Sequence, residues 1–254
     1  MVIMNEKELV KQISDIVKLC GEIILEADRS NVMIDEKTGH ANFVTTYDRK
    51  VQNILQDRLL EILPQAVFIG EEGEKTEYSG QGYAFIVDPI DGTTNFIKNY
   101  HMSAISVGLI KDGEQYIGVV YNPYLDEMYT AIKGHGACLN GFGIHVSNES
   151  IENGIVLFGT SPYYEELSKR SFEMAYKYFK RALDVRRSGS AAIDLCSIAA
   201  GRAELYFELK LSPWDYAAGA LIVREAGGEV TTCEGDDITL FEGCSILATN
   251  GIAR

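Results

Sequence analysis

The chain has 254 residues, of which 46% are hydrophobic and 24% charged, and its formal net charge is −14. A chain of this length buries a full core, as one large domain or as two smaller ones. The composition excludes a disordered chain, and the acidic balance argues against nucleic acid as a partner, because phosphate-backbone binding relies on clustered Lys and Arg. An acidic protein still binds phosphate where metal ions supply the positive charge.

The first twenty or so residues mix charged and apolar positions, which fits neither a signal peptide nor a membrane span. We therefore expect a cytoplasmic protein with no membrane partner. The five cysteines are scattered and lack the spacing of a metal site, so buried, reduced thiols are expected.

The first half of the chain begins with two predicted amphipathic helices. Apolar residues recur at helical spacing over 5–28 and over 48–63, where Pro64 ends the second helix. Five short apolar runs follow and predict a largely antiparallel sheet: AVFIG, YAFIVD, SAISVGLI, YIGVVYNP and EMYTAI. We expect the sheet to end near the Gly-rich passage 134–148. This gives an N-terminal α+β domain over 1–144 and a C-terminal domain over 145–254.

In the second half, predicted strands alternate with predicted helices. The helices cover 163–180, 190–200 and 214–226, and the strands are GIVLFGT, DVRRSG, AELYFEL, GEVTT and SILATN. Such alternation favours a layered α/β arrangement for this half.

Acidic residues follow apolar runs at several points: Glu71 and Glu72 after FIG, Asp88 and Asp91 after FIV, and Asp215 after SPW. An acid directly after a buried strand is costly unless it is paired or bound to a cation. Hard oxygen ligands select Mg²⁺, Mn²⁺ or Ca²⁺, and the lack of nearby His or Cys argues against zinc or copper. These acids therefore predict a cation site.

The stretch FIVDPIDGTTNF concentrates this chemistry. Pro89 fixes one backbone angle and supplies no N–H, so the segment can turn two carboxylates and the Ile90 carbonyl towards one point. Two metal ions ~3.5–4 Å apart could share Asp88 as a bridge. The following Gly92-Thr93-Thr94 offers N–H groups and a hydroxyl suited to phosphate oxygens. The alternative is an ordinary turn, where Asp and Gly are favoured for local hydrogen bonding.

The same stretch partly matches the Asp-x-Asp-Gly-Thr motif of covalent aspartyl phosphatases. In that motif the nucleophile and the acid/base stand two residues apart, and when the motif is aligned on Asp91-Gly92-Thr93 the position two residues before Asp91 is Pro89. The covalent route therefore fails, and a metal-activated water is favoured.

Six segments in order make the chain resemble the inositol monophosphatase family, within the lithium-sensitive, magnesium-dependent phosphatases. They are FVTTYDRKV, FIGEEG, IVDPIDGTTNF, GVVYNP with GHGACLNG, RRSGSAAIDLC, and SPWDYAAGALIVREAGG. The resemblance implies a layered αβαβα sugar-phosphatase fold with an antiparallel N-terminal sheet and an α/β C-terminal half. The site would lie in the cleft between the halves, with the main metal motifs in the first half.

The resemblance also implies the site residues. Metal would be bound by Glu71, Asp88, the Ile90 carbonyl, Asp91 and Asp215, with Asp88 bridging two ions. Two or three Mg²⁺ ions are expected, with Mn²⁺ as an alternative and Li⁺ as an inhibitor. The attacking water would be oriented by Thr93 and Glu71 with Asp48 behind them. The substrate would be bound by Lys37, Ile90, Asp91, Gly92, Thr93, Gly189, Ser190, Ala191 and Glu208.

Two of these positions carry alternatives, and two further residues, Asn42 and Lys210, also bear on the site. Ser190 could be only a helix cap, and Glu208 could be only solvated. The family usually has Asp where this chain has Asn42, which loses a charge. Lys210 adds a positive charge near Glu208 and could favour a more acidic substrate, although a solvent-exposed lysine is the alternative interpretation.

The expected function is Mg²⁺-dependent hydrolysis of inositol monophosphate, or a similar phosphorylated polyol, to inositol and phosphate. Alternatives within the superfamily are fructose-1,6-bisphosphatase, bisphosphate nucleotidase and histidinol-phosphatase activity, although DGTTNF looks more like the inositol type. An alternative of another class is a regulatory binding protein on the same fold, working through a partner such as RNA polymerase or RNA. The resemblance suggests a homodimer.

Overall fold

The computed structural model describes residues 5–29, 34–36, 43–73 and 76–253. Two long helices form its first layer, α1 (Glu6–Leu25) and α2 (Thr46–Ile62). They pack on each other and bury their apolar faces against the first large sheet. The second helix begins two residues earlier than predicted, because Thr45 and Asp48 form a capping box around its first turn. A short antiparallel pair precedes it, β1 (Ile34–Glu36) and β2 (Phe43–Thr45).

The first large sheet has seven strands in chain order: β3 (Val67–Gly70), β4 (Tyr83–Asp91), β5 (Ala104–Lys111), β6 (Glu114–Asn122), β7 (Glu127–Ile132), β8 (Ala137–Leu139) and β9 (Phe142–Ile144). Its first pair is parallel and the others are antiparallel. The Gly-rich passage near 134–148 contributes β8 and β9, so the sheet runs further than the apolar runs alone indicate. It ends at Ile144, beside the predicted domain boundary.

The second half begins with a 3₁₀ turn (Ile151–Asn153), and its elements are β10 (Ile155–Phe158), α4 (Glu165–Phe179), β11 (Asp184–Arg186), α5 (Ala191–Ala199), β12 (Leu205–Leu211), α6 (Pro213–Glu225), β13 (Glu229–Thr231) and β14 (Cys244–Thr249). The five strands form a mixed sheet in the order β11-β10-β12-β14-β13. One face of it is covered by α4 and the other by α5 and α6. None of the helices in the described ranges is long and apolar enough to cross a membrane.

Helices α5 and α6 form the middle layer, so the order αβαβα is confirmed. Helix α6 lies directly on the backbone of the first sheet. A Cβ placed on Gly108 would be 3.1 Å from the Ala217 Cβ, and one on Gly118 would be 2.7 Å from the Ala218 carbonyl oxygen. Only glycine permits this approach. The same helix also contacts the second sheet, and the division into domains 1–144 and 145–254 stays a prediction.

Candidate active site

A cleft of about 400 Å³ opens where the end of β4 meets α5, β12 and α6. The residues predicted for the site that line it are Glu71, Asp88, Ile90, Asp91, Gly92, Thr93, Gly189, Ser190, Ala191, Glu208 and Asp215. Asp48 stands behind this lining and is fully buried. Lys37 and Asn42 lie outside the described residues. Residues distant in sequence thus meet in one cavity.

Three carboxylates meet at the floor of the cleft, where oxygens of Asp88, Asp91 and Asp215 all lie within 4.8 Å of one another. The register of β4 against β5 shifts between Asp88 and Asp91, and the Ile90 N–H donates to Asp88 Oδ1 at 3.0 Å. This irregularity turns both acids to one side. Asp215 arrives from the first turn of α6, where its Oδ2 accepts the Ser212 N–H at 2.7 Å. Glu71 lines the same cleft outside this trio.

The carboxylates are held close together at a cost. Burial, and then repulsion from Glu71 and Asp91, raise the pKa of Asp88 well above its ordinary value. Loss of hydration, and then repulsion from Asp91 and Glu71, do the same to the pKa of Asp215. Burial raises the pKa of Asp91 to about 6. An all-oxygen donor set that repels itself in this way fits a hard divalent cation, which would neutralise the repulsion.

Asp91 also joins the first sheet to the middle helix layer. Its Oδ2 accepts the Ser190 hydroxyl at 2.6 Å and the Ala192 N–H at 2.7 Å, and both bonds counteract the effect of burial on its pKa. The Ser190 hydroxyl oxygen accepts the Ile193 N–H at 3.2 Å, so Ser190 is the N-cap of α5. Ser190 therefore caps a helix and orients Asp91, and its contact with substrate stays a prediction.

A buried chain of hydrogen bonds supports Thr93, the first residue of the short helix α3 (Thr93–Ile97). The Thr93 hydroxyl lies 3.2 Å from Asp48 Oδ1 and 3.2 Å from the Ile90 carbonyl oxygen. Asp48 in turn accepts the Thr45 N–H at 2.7 Å and the Thr45 hydroxyl. Burial raises the pKa of Asp48, and the bonds from Thr45 and Thr93 counteract this. Thr93 and Asp48 are thus brought together in the same region of the fold as the three carboxylates.

Glu208 forms the opposite side of the cleft, and it is buried rather than solvated. Its Oε1 accepts the Ser161 N–H at 2.8 Å, and its Oε2 accepts the Tyr206 hydroxyl at 2.9 Å. Burial raises its pKa against these two bonds. A Cβ on Gly159 would lie 1.8 Å from Glu208 Oε2, so only glycine leaves room for this carboxylate. The interpretation of Glu208 as merely solvated is therefore wrong.

Sequence reasoning missed Asn95, Arg187 and Asp194, all of which line the cleft. Asp194 is buried in α5, and burial raises its pKa well above the ordinary value. The sequence signal for Asp194 was that it is the one charged residue in a mostly apolar predicted helix. Asn95 donates from Nδ2 to the Met102 carbonyl at 2.7 Å and to the Ser188 carbonyl at 2.9 Å, which ties α3 to the Gly189 loop. No spacing in the sequence indicates this link.

The interpretation of Lys210 as a solvent-exposed lysine is wrong. The residue is half-buried, it lines the cleft, and its Nζ donates to the Gly243 carbonyl at 2.6 Å. Lys210 therefore brings a tethered, half-buried side chain to the lining of the cleft.

Comparison with known proteins agrees with this geometry. The family model described as "Inositol monophosphatase family" matches residues 5–254. The chain is 34% identical to the inositol-1-monophosphatase of Bacillus subtilis (strain 168), over 92% of this chain and 89% of that protein. It is 38% identical to the Nus factor SuhB of Escherichia coli (strain K12), over 84% of this chain and 79% of that protein.

Solved structures share the fold of this chain over nearly its whole length. The crystal structure of the extragenic suppressor protein suhB from Bartonella henselae superposes with a TM-score of 0.89 at 33% identity. The likeness covers 96% of this chain and 94% of that one. The match over the whole length, with an acid cluster in the central cleft, shows that the chain belongs to the inositol monophosphatase family.

Proposed function

We propose that this protein is a divalent-metal-dependent phosphatase that hydrolyses inositol monophosphate, or a similar polyol phosphate, to the polyol and phosphate. The observation that carries the proposal is the convergence of Asp88, Asp91 and Asp215 within 4.8 Å. The Thr93–Asp48 pair lies in the same region of the fold, since Thr93 lines the cleft. The similarity to proteins named inositol-1-monophosphatase supports the choice of substrate class.

We assign metal binding to Glu71, Asp88, the Ile90 carbonyl, Asp91 and Asp215. All five groups line one cleft and offer oxygen atoms, which suits two or three Mg²⁺ ions, with Mn²⁺ as an alternative. When bound, such ions neutralise the phosphate, acidify a water and stabilise the leaving alkoxide.

Thr93 and Glu71 would orient the attacking water. With its hydrogen directed to Asp48, the Thr93 hydroxyl oxygen is left as an acceptor for one hydrogen of that water. The Glu71 carboxylate would accept the other. Asp48 is fixed by two bonds from Thr45 and does not contact the cleft, so it acts through Thr93. A water held in this way would keep a lone pair free to attack the phosphorus.

The substrate itself would be held from both sides of the cleft. The N–H groups of Gly92 and Thr93 would donate to phosphate oxygens beside the metal cluster. The 189–191 segment and Glu208 would meet the polyol hydroxyls at the other side. Each Glu208 oxygen accepts one protein hydrogen bond and retains capacity for a substrate hydroxyl.

Phosphate release from inositol 1-phosphate, fructose 1,6-bisphosphate, histidinol phosphate and adenosine 3′,5′-bisphosphate tests the proposal. Each substrate is assayed with Mg²⁺, with Mn²⁺, with Mg²⁺ plus Li⁺, and with chelator. Asp91→Asn is the inactive variant, and Asp57→Asn, which changes an exposed acid on α2, is the matched control. Preference for inositol 1-phosphate that is lost with chelator and in Asp91→Asn supports the proposal. Preference for another substrate would support metal-dependent phosphatase activity but change the assigned substrate.

A second candidate function is that of a regulatory binding protein, which the 38% identity to the Nus factor SuhB supports. The complete acid cluster argues for hydrolysis as the primary activity. Absence of metal-dependent release from every substrate in the panel would favour the regulatory function. The cytoplasmic location and the homodimer remain expectations from the sequence, to be checked by fractionation and by light scattering.

A further inference from the structure

We propose that Lys210 and Arg187 make the end of the cleft around Glu208 selective for a leaving group that carries a second anion, either a carboxylate or a second phosphate. The inference rests on the proposed phosphatase function and specifies its substrate class. A neutral polyol needs hydrogen-bond partners at this end of the cleft, which Glu208 supplies. Two cationic side chains in the lining of the same cleft are more than a neutral polyol requires.

The first observation is the placement of Lys210. Glu208 and Lys210 both belong to β12, and both line the cleft. The bond from Lys210 Nζ to the Gly243 carbonyl holds the ammonium group and uses one of its three N–H donors. A tethered, half-buried ammonium loses less side-chain entropy on meeting an anion than a freely moving lysine does.

The second observation is that the surrounding rim is rigid. Ser161 is fully buried and has a left-handed backbone with φ of 43°. Its N–H donates to Glu208, and its hydroxyl oxygen accepts the Lys210 N–H at 3.0 Å. Ser161 therefore fastens the 159–164 loop to β12 at both Glu208 and Lys210. A strained residue held by two such bonds indicates a preorganised site.

Arg187 supplies the second charge. It lines the cleft, and its Nη1 lies 3.6 Å from the position of a Cβ on Gly189. Its field reaches both Asp194 and Glu208 and lowers their pKa values against burial. Arg187 thus partly offsets these two carboxylates, and Lys210 adds a second positive side chain to the lining of the same cleft. In a protein with a net charge of −14, this end of the cleft is therefore a place where a second anion is not repelled.

Two matched pairs of substrates test the inference. Glycerol 1-phosphate and 3-phosphoglycerate differ by a carboxylate, and inositol 1-phosphate and inositol 1,4-bisphosphate differ by a phosphate. The value of kcat/KM is measured for all four with wild type, Lys210→Met, Lys210→Arg and the control Lys133→Met, which removes a lysine that pairs with Glu114 outside the cleft. Thermal melting of each variant checks that it is folded.

We expect wild type to prefer the member with the additional anionic group in at least one pair. The pair that shows the preference tells whether that group is a carboxylate or a phosphate. Lys210→Met should reduce kcat/KM for that member about tenfold and change the neutral member less than about twofold, while Lys210→Arg and Lys133→Met keep the preference. Equal losses on both members would overturn the inference, because Lys210 would then only hold the Gly243 loop. So would a wild type without preference. Failure to hydrolyse any of the four substrates would refute the proposed function itself.

Discussion

In the absence of divalent ions, this protein should be more stable near pH 5 than near pH 7.5. This is the reverse of ordinary acid destabilisation. The reason is the trio of Asp88, Asp91 and Asp215, whose carboxyl pKa values are all raised in the folded state. A carboxyl group with a higher pKa when folded binds its proton more tightly in the folded state. It therefore stabilises the fold at low pH, and this contribution is lost as the pH rises through the folded pKa.

The magnitude follows from Asp91, whose pKa rises from 3.8 to about 6. This difference corresponds to about 3 kcal/mol between full protonation and full ionisation, of which about 1.4 kcal/mol is lost between pH 5 and pH 7.5. Asp88 and Asp215 act in the same direction. Asp88→Asn keeps an oxygen for the Ile90 N–H and removes the central charge, so it should stabilise the metal-free protein at pH 7.5 and abolish hydrolysis.

The assay is urea unfolding of metal-stripped protein at about pH 5, 6 and 7.5, repeated with saturating Mg²⁺. Asp57→Asn, an exposed acid on α2, is the control and should follow wild type. Added Mg²⁺ should stabilise most at pH 7.5, where the carboxylates are ionised. A metal-free protein that is most stable at pH 7.5, together with an Asp88→Asn variant of lower stability, would refute the reasoning.

Three further substitutions probe single contacts. Gly159→Ala places a methyl group 1.8 Å from Glu208 Oε2, so we expect a loss of about 1–3 kcal/mol in unfolding free energy and a higher KM, measured by denaturation and initial rates. Ser190→Ala removes the cap of α5 and the donor to Asp91; a loss of about 1 kcal/mol and weaker metal binding by titration are expected, and unchanged metal affinity would contradict the orienting role. Thr93→Val keeps the shape and loses the hydroxyl, so kcat should fall by about 10²-fold or more with little change in melting temperature.

The part of the site that lies in one short stretch was predictable. Asp88, Asp91 and Thr93 are close in sequence, and the irregular end of β4 brings them to one side, as the proline and the apolar run before them indicate. Asp215 is different, because its place beside them depends on how α6 packs between two sheets. The sequence marks it as an acid at a helix start, and the family resemblance pairs it with Asp91.

Other features were hidden for physical reasons. Strands β8 and β9 have three residues each and lie among glycines, so no apolar run marks them. Strand β8 forms by pairing with β7, and β9 forms by pairing with β8. The half-burial of Lys210 depends on the Gly243 carbonyl, which a distant loop supplies. Long-range packing of this kind leaves no local pattern in the chain.

The two glycines beneath α6 set the dimensions of the carboxylate cluster without contacting it. Asp88 and Asp91 belong to the first sheet, whereas Asp215 belongs to a helix whose distance from that sheet is fixed at Gly108 and Gly118. A methyl group at Gly118 would meet the Ala218 carbonyl at 2.7 Å and lift the helix. The third carboxylate would then move away from the other two, although every ligand residue is intact. Loss of metal affinity in this protein can therefore originate in the middle of a β-strand, far along the chain from any acid of the site.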